Sequence, residues 1–300
     1  MIGSQRPLGY LSGVMRWLLL TTLLSACGYP VEERTGHKDL ETEVTLLDTL
    51  DTLFTREGLQ GSMVVHDVAA DHWYHINGSD LDVGTLPAST FKIFSSLYGL
   101  ESGIIDGPEH VLPYDGSGQG RPEIARDLSL AEAYHMSAYW YHRAIARQAG
   151  GAVIKHWLDT VGYGNTDTTG GFDRCWVAGA LRITPLEQVR FLERLWRSEL
   201  PFSERTMDLV KGMMVEKDTL GHVLRAKTGW AVVDSVDIGW YVGWVEVEGG
   251  RGPYFFATRL RTEDVDHPTF AVARRSITMA VLARIGAWPD RPLQEPNRGM

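Results

Sequence analysis

Apolar positions recur at two different spacings along this chain, and the changes of spacing mark its elements. Residues 44–57 place Leu46, Leu47, Leu50, Leu53 and Phe54 at helical intervals, which predicts a helix. "GSMVVHDV" and "HWYHIN" are β-branched and aromatic, and predict two strands joined at Ala69-Ala70-Asp71. The region 106–127 is rich in Gly, Pro and charge and reads as loop. Residues 129–200 read as mainly helical, with Gly150-Gly151 and Gly162 as stops and Pro185 in a first turn. "SERTMDLVKGMMV" adds one more helix. The pattern then switches to strand length and strand composition in "HVLRAKTGW", "IGWYVGWVEVE" and "PYFFATRLR", with Gly249-Gly250 in a turn and a closing helix over about 270–286. Strands at both ends and helices between them predict one sheet built from both ends of the domain, with a helical lobe inserted.

The first residues do not fit this plan. Arg16 precedes an apolar run, Trp17 to Leu24, that is too short to span a bilayer and suits the core of a secretory signal. Leu24-Ser25-Ala26-Cys27 resembles a bacterial lipoprotein cleavage box, in which Cys27 is lipidated and becomes the new N-terminus. The plainer alternative is an ordinary signal peptide with Cys27 incidental. The expected organisation is a signal peptide over 1–26, a polar tether over 27–43, a domain over 44–288 and a tail over 289–300. Within the domain, 44–88 and 218–288 supply a sheet lobe and about 89–217 a helical lobe. The expected location is outside the cytoplasm, lipid-anchored and facing the periplasm, on the outer membrane if the host has one.

Composition narrows the chemistry. A chain of 300 residues with 44% hydrophobic residues can bury a sizeable core. A net charge of −9 argues against nucleic acid as a partner. With Cys27 carrying lipid, Cys175 is the other of two cysteines and has no disulfide partner. The ten histidines form no metal-ligand motif, so no protein-built metal site is expected. Only six lysines stand against 23 arginines, and two of the six lie in short motifs, Ser89-Thr90-Phe91-Lys92 and Lys227-Thr228-Gly229. Spacing of three at a helix start puts Ser89 and Lys92 on one face. A serine needs a base to become a nucleophile. Lysine serves as that base only where burial disfavours its ammonium, and Phe91, Ile93 and Phe94 supply apolar surroundings. Read alone, the same residues are a cap and a surface lysine. Ser-x-x-Lys opening a helix together with Lys-Thr-Gly on a strand is a joint signal of penicillin-recognising serine enzymes.

On these residues the chain resembles the class D β-lactamases. "PASTFKI" with "GLESGII" is similar to the family's nucleophile segment, Ser137-Ala138-Tyr139 to its Ser-x-Val, and Tyr163-Gly164-Asn165 to its Tyr-Gly-Asn. Trp176 in "CWVAGALRIT", Lys227-Thr228-Gly229-Trp230 and Arg274 in "ARRSI" follow in the family's order, over roughly residues 44–287. The resemblance implies an α/β (α+β) fold of the serine β-lactamase and penicillin-binding-protein transpeptidase type, an antiparallel sheet flanked by helices with an inserted all-helical lobe. It implies hydrolysis of a β-lactam amide through a Ser89 acyl-enzyme, with Lys92, N-carboxylated by carbon dioxide or bicarbonate, as general base and Trp176 as a donor to it. Ser137 and Lys227 would pass a proton to the ring nitrogen, the backbone N–H groups of Ser89 and Trp230 would hold the oxyanion, and Thr228, Gly229, Trp230 and Arg274 would bind substrate. Without the family, Ser137 reads as a satisfied helix hydroxyl, Tyr163-Gly164-Asn165 as a helix stop and turn, Trp176 as core and Arg274 as a surface charge. Tyr139, where the family carries valine, and Cys175, beside Trp176, depart from the pattern and bear on turnover more than on acylation. Two further readings stay open: a sensor-like or transpeptidase-like protein that acylates and releases slowly, and a non-catalytic lipoprotein that binds cell-wall peptides. The oligomeric state is open.

Overall fold

The computed structural model describes residues 43–289 apart from 118–119, 250–251 and 265. The signal peptide, the lipidated Cys27 and nearly all of the tether expected from the sequence lie outside the described residues, as does all but the first residue of the tail. The elements run in the order β1 Glu43–Leu46, α1 Thr52–Arg56, β2 Gln60–Asp67, β3 His72–Ile76, α2 Phe91–Glu101, β4 Val111–Leu112, β5 Leu128–Ser129, α3 Leu130–His135, α4 Tyr139–Val161 and α5 Cys175–Ala178. They continue with α6 Pro185–Trp196, α7 Glu204–Met213, β6 Val215–Thr219, β7 His222–Val233, β8 Val236–Val247, β9 Tyr254–Thr262 and α8 Phe270–Arg284.

Seven strands form one sheet in the order β1-β3-β2-β9-β8-β7-β6. All its pairings are antiparallel except β1 with β3. The helices between β3 and β6 form the inserted lobe, which also holds the two-residue ladder of β4 with β5. Successive residues of a strand face opposite sides of the sheet, and the core is divided accordingly. Val64, Trp240, Val242, Phe255 and Ala257 face the inserted helices. Their neighbours Val65, Tyr241 and Phe256 pack with Phe54 and with Ile277 and Val281 of α8. Helix α2 is buried from Phe91 to Leu100, as expected of a helix that is apolar on nearly every face.

Local chemistry sets the element ends. Thr184 and Glu187 form a reciprocal capping box on α6 with Pro185 in its first turn, and Ser129 and Glu132 do the same on α3. Asp234 and Ser235 both adopt left-handed conformations (φ 50° and 63°), which a two-residue turn between β7 and β8 requires. Edge strand β6 is short and carries Glu216, Lys217 and Asp218, a charged end to the sheet. Gly150 ends one helical segment, as its reading as a stop expects, and a second segment begins directly after it. Its left-handed backbone (φ 77°) breaks α4, and the chain resumes helical geometry to Val161.

Residues 44–57 differ from the helix predicted by their leucine spacing. They form β1, a single 3-10 turn over Asp48–Leu50 and the short α1. The parallel pairing of β1 with β3, Val44 opposite Trp73, is a non-local contact that overrides the local period.

Candidate active site

Ser89 lies in a 3-10 turn, Ala88–Thr90, that runs into α2. The preceding Ala88 is left-handed (φ 52°), a backbone state that costs energy for a residue with a Cβ and collects at functional turns. The turn is pinned from inside. Thr90 Oγ1 donates to the Pro87 carbonyl (2.7 Å) and accepts from Gln188 Nε2 on α6 (2.8 Å). One turn on, Lys92 is 1% exposed and its Nζ donates to Ser89 Oγ at 2.9 Å. Burial first, and the Arg121 guanidinium second, bring the Lys92 amine down to about 7. Phe91 stacks on Trp176 of α5, with ring centroids 4.8 Å apart and planes 10° apart. The buried Trp176 Nε1–H has no hydrogen-bond partner among the described residues.

A second serine–lysine pair faces the first. Ser137 sits between α3 and α4 in a left-handed conformation (φ 56°) and its Oγ accepts from Lys227 Nζ at 2.7 Å. Lys227 is buried on β7, with its ammonium 5.6 Å from the centre of the Tyr134 ring. Burial, then the charges of Lys92, Arg274 and Arg275, hold it well below the ordinary lysine range. β6 pairs with β7 only as far as Arg225, so the remaining length of β7 turns its outer edge toward the Ser89 turn. Gly229 permits that approach. A Cβ there would stand 3.0 Å from the Pro87 carbonyl oxygen and 3.2 Å from Thr90. The Arg274 guanidinium donates to the Gly229 carbonyl (2.6 Å) and lies 5.3 Å from the Trp230 ring. Burial lowers it to about 10.

These parts surround a cleft of about 580 Å³ lined by Ser89, Ser137, Tyr139, Thr228, Trp230 and Arg274 among others. Gly229 also lines it, while Lys92 and Lys227 reach it from beneath through the two serines. A larger cleft of about 700 Å³, bordered by Gln60, Arg182, Asp234 and Glu263, holds none of the residues nominated from sequence. Tyr139 tilts against Trp176, with centroids 5.9 Å apart, and carries the Arg143 guanidinium 5.9 Å from its own ring centre. Cys175 is buried, and burial pushes its thiol up to about 12, which removes it as a nucleophile. Among the described residues no group of three or more His, Cys, Asp or Glu stands ready for a metal ion.

Sequence reasoning missed four contributors to this geometry: Arg121, Tyr134, Gln188 and the buried His142 that bonds to Ser95. None lies within a motif. Each arrives from another helix or loop, and none carries a local signal in the sequence.

A serine bonded to a buried lysine one turn away, faced by a second serine–lysine pair and a basic rim, fits the penicillin-recognising serine acyl-transfer class. Residues 82–275 match the penicillin binding protein transpeptidase domain. Within that class the chain belongs to the class D β-lactamases. It is 32% identical over 274 residues to the probable β-lactamase YbxI of Bacillus subtilis (strain 168), covering 90% of this chain and 98% of that protein. The crystal structure of the class D β-lactamase YbXI from Nostoc superposes with a TM-score of 0.74 at 38% identity, covering 80% of this chain and 99% of the other. The C-terminal domain of the Bacillus licheniformis BlaR penicillin receptor superposes with a TM-score of 0.76 at 30% identity, covering 83% and 99%.

Proposed function

We propose that this protein hydrolyses β-lactam antibiotics through an acyl-enzyme on Ser89. The observation that carries the proposal is the 2.9 Å contact between Ser89 Oγ and a buried lysine brought down to about 7. Such an amine is uncharged in a large share of molecules at neutral pH and can accept a proton. Two features suit a carboxyl group added to Lys92 from carbon dioxide: an amine poised near neutrality and the unpartnered N–H of Trp176. Such a group supplies a carboxylate base for the Ser89 proton and for the hydrolytic water.

The chain's own residues have the remaining roles. Ser89 Oγ forms the bond to the β-lactam carbonyl carbon. The backbone N–H groups of Ser89 and Trp230 hold the oxyanion, a contribution of about 3 kcal/mol for each such donor. The ring C–N bond then breaks, and its nitrogen takes a proton delivered through Ser137 from Lys227. Thr228 and the Arg274 guanidinium receive the substrate carboxylate, for which arginine's planar fork is suited. Water then attacks the ester carbonyl and Ser89 recovers its proton. Lipid attachment at Cys27, testable by labelling with a fatty acid and by Cys27→Ser, would hold the domain at a membrane surface.

A second reading has one observation in its favour. The Tyr139 ring lines the cleft beside Trp176, where the family carries a smaller valine, and a bulkier wall at that point favours acylation over release. Turnover of a chromogenic cephalosporin by wild type and Ser89→Ala, with and without bicarbonate, tests both readings. Sustained turnover that Ser89→Ala loses by about 10⁴-fold or more supports the enzyme. A burst followed by a slow phase supports delayed release. Equal rates in the two proteins remove both.

A further inference from the structure

Three arginines and one histidine line the cleft at Ser89, and among the described residues that line it there is no carboxylate. The chain as a whole carries a net charge of −9, so this concentration of positive charge is local to the cleft. A simple penicillin brings one carboxylate, which Thr228 and Arg274 receive in the proposed acylation. Arg275 is held by Glu216 at 3.0 Å. Arg121 lines the same cleft and has no part in binding that carboxylate.

Arg121 and Arg274 reach the cleft from different parts of the fold. Arg274, on α8, donates to the Gly229 carbonyl of β7. Arg121, in the loop before β5, donates through Nη2 to the carbonyl of Met136, the residue before Ser137 (3.2 Å). After burial, the Arg121 charge is what lowers Lys92, whereas Lys227 is lowered by Lys92 and then by Arg274 and Arg275. Arg121 thus stands toward the Lys92 end of the site and Arg274 toward the Lys227 end. A penicillin has the same two ends. Its carboxylate lies beyond the ring nitrogen, and its acylamino side chain leaves from the other side of the carbonyl carbon.

Arg121 also has capacity to spare. Its Nε donates to Glu123 (2.8 Å), and its Nη1 makes no hydrogen bond among the described residues. Glu123 is not among the lining residues, and the two side chains are 45% and 52% exposed, where such a pair contributes little.

We propose that Arg121 selects β-lactams whose acylamino side chain carries a second anionic group, a carboxylate or a sulfonate, by receiving that group at the cleft mouth. The inference rests on the reading of Ser89 as the acylated residue.

The test compares benzylpenicillin with carbenicillin, which differs from it only by a carboxylate on the side-chain carbon. The readout is the ratio of their second-order acylation rate constants, carbenicillin over benzylpenicillin, on the full-length protein at low salt and saturating bicarbonate. A change at Lys92 alters both rates alike and cancels in the ratio. Arg121→Gln lowers the ratio about threefold to fivefold, and Arg121→Lys, which keeps the charge, holds it within about twofold. Glu123→Gln removes the competing carboxylate and raises the ratio. Salt at about 0.5 M lowers the ratio in wild type and leaves it unchanged in Arg121→Gln. An unchanged ratio in Arg121→Gln, with both penicillins still acylating Ser89, overturns the role of Arg121 and leaves the acylation reading standing. Absence of acylation of wild type by either penicillin, or acylation that persists in Ser89→Ala, overturns the reading of Ser89 itself.

Discussion

At the scale of single residues, the site turns on how an amine is kept uncharged. Burial does most of this for Lys92, and the Arg121 guanidinium, half-exposed at the cleft rim, adds like-charge repulsion. The direction is fixed: a neighbouring cation favours the neutral amine, so removing it raises the Lys92 pKa above about 7. The competent fraction at a given pH then falls. Arg121→Gln is expected to move the acid limb of the acylation profile to higher pH at limiting bicarbonate. The shift is modest, because a half-exposed charge is screened by water. A loss of up to about fivefold in acylation at pH 7, vanishing above pH 9, is the expected scale. A profile that stays in place, or moves to lower pH, would show that Arg121 does not act on Lys92.

At the scale of elements, the proposed acylation depends on the distance between the Ser89 turn and the free edge of β7. Gly229 sets it, since a methyl group there meets the Pro87 carbonyl and Thr90, both fixed by the Thr90–Gln188 bond. Gly229→Ala is expected to push the strand outward, slow acylation at least about tenfold and cost about 1–3 kcal/mol in urea unfolding. Unchanged acylation would disprove the spacing argument. Much of this arrangement was legible in the sequence. Ser89 and Lys92 declare themselves by helical spacing, Lys227-Thr228-Gly229 by its place in a strand-like run, and α6 by Pro185 in its first turn. What stayed hidden is what crosses between elements. Nothing local announces that Gln188 reaches Thr90, that His142 reaches Ser95, or that β1 pairs in parallel with β3 and so replaces the helix expected over 44–57.

At the scale of the whole molecule, the segment that leads into Ser89 must be held to the sheet without filling the cleft. Arg259 on β9 does much of this from beneath. Its side chain is 1% exposed, it pairs with the Asp80 carboxylate at 2.5 Å, and it donates to the backbone carbonyls of Asp80 (2.6 Å) and Val83. Nearer Ser89 the anchoring is separate: Trp240 Nε1 donates to the Leu86 carbonyl at 2.9 Å, and Thr85 bridges to Ile183. A buried guanidinium stripped of its carboxylate is an uncompensated charge, so Asp80→Ala is expected to cost about 3 kcal/mol in urea unfolding. The cost persists in 1 M salt, because a buried pair is poorly screened. Acylation by the folded fraction should hold within about twofold, since the Leu86 and Thr85 anchors are intact and most distant substitutions act independently. Stability unchanged by Asp80→Ala would mean that the two backbone carbonyls alone satisfy Arg259. Acylation lost together with stability would mean that the lead-in segment moves as one piece with the Ser89 turn rather than hanging from two independent anchors.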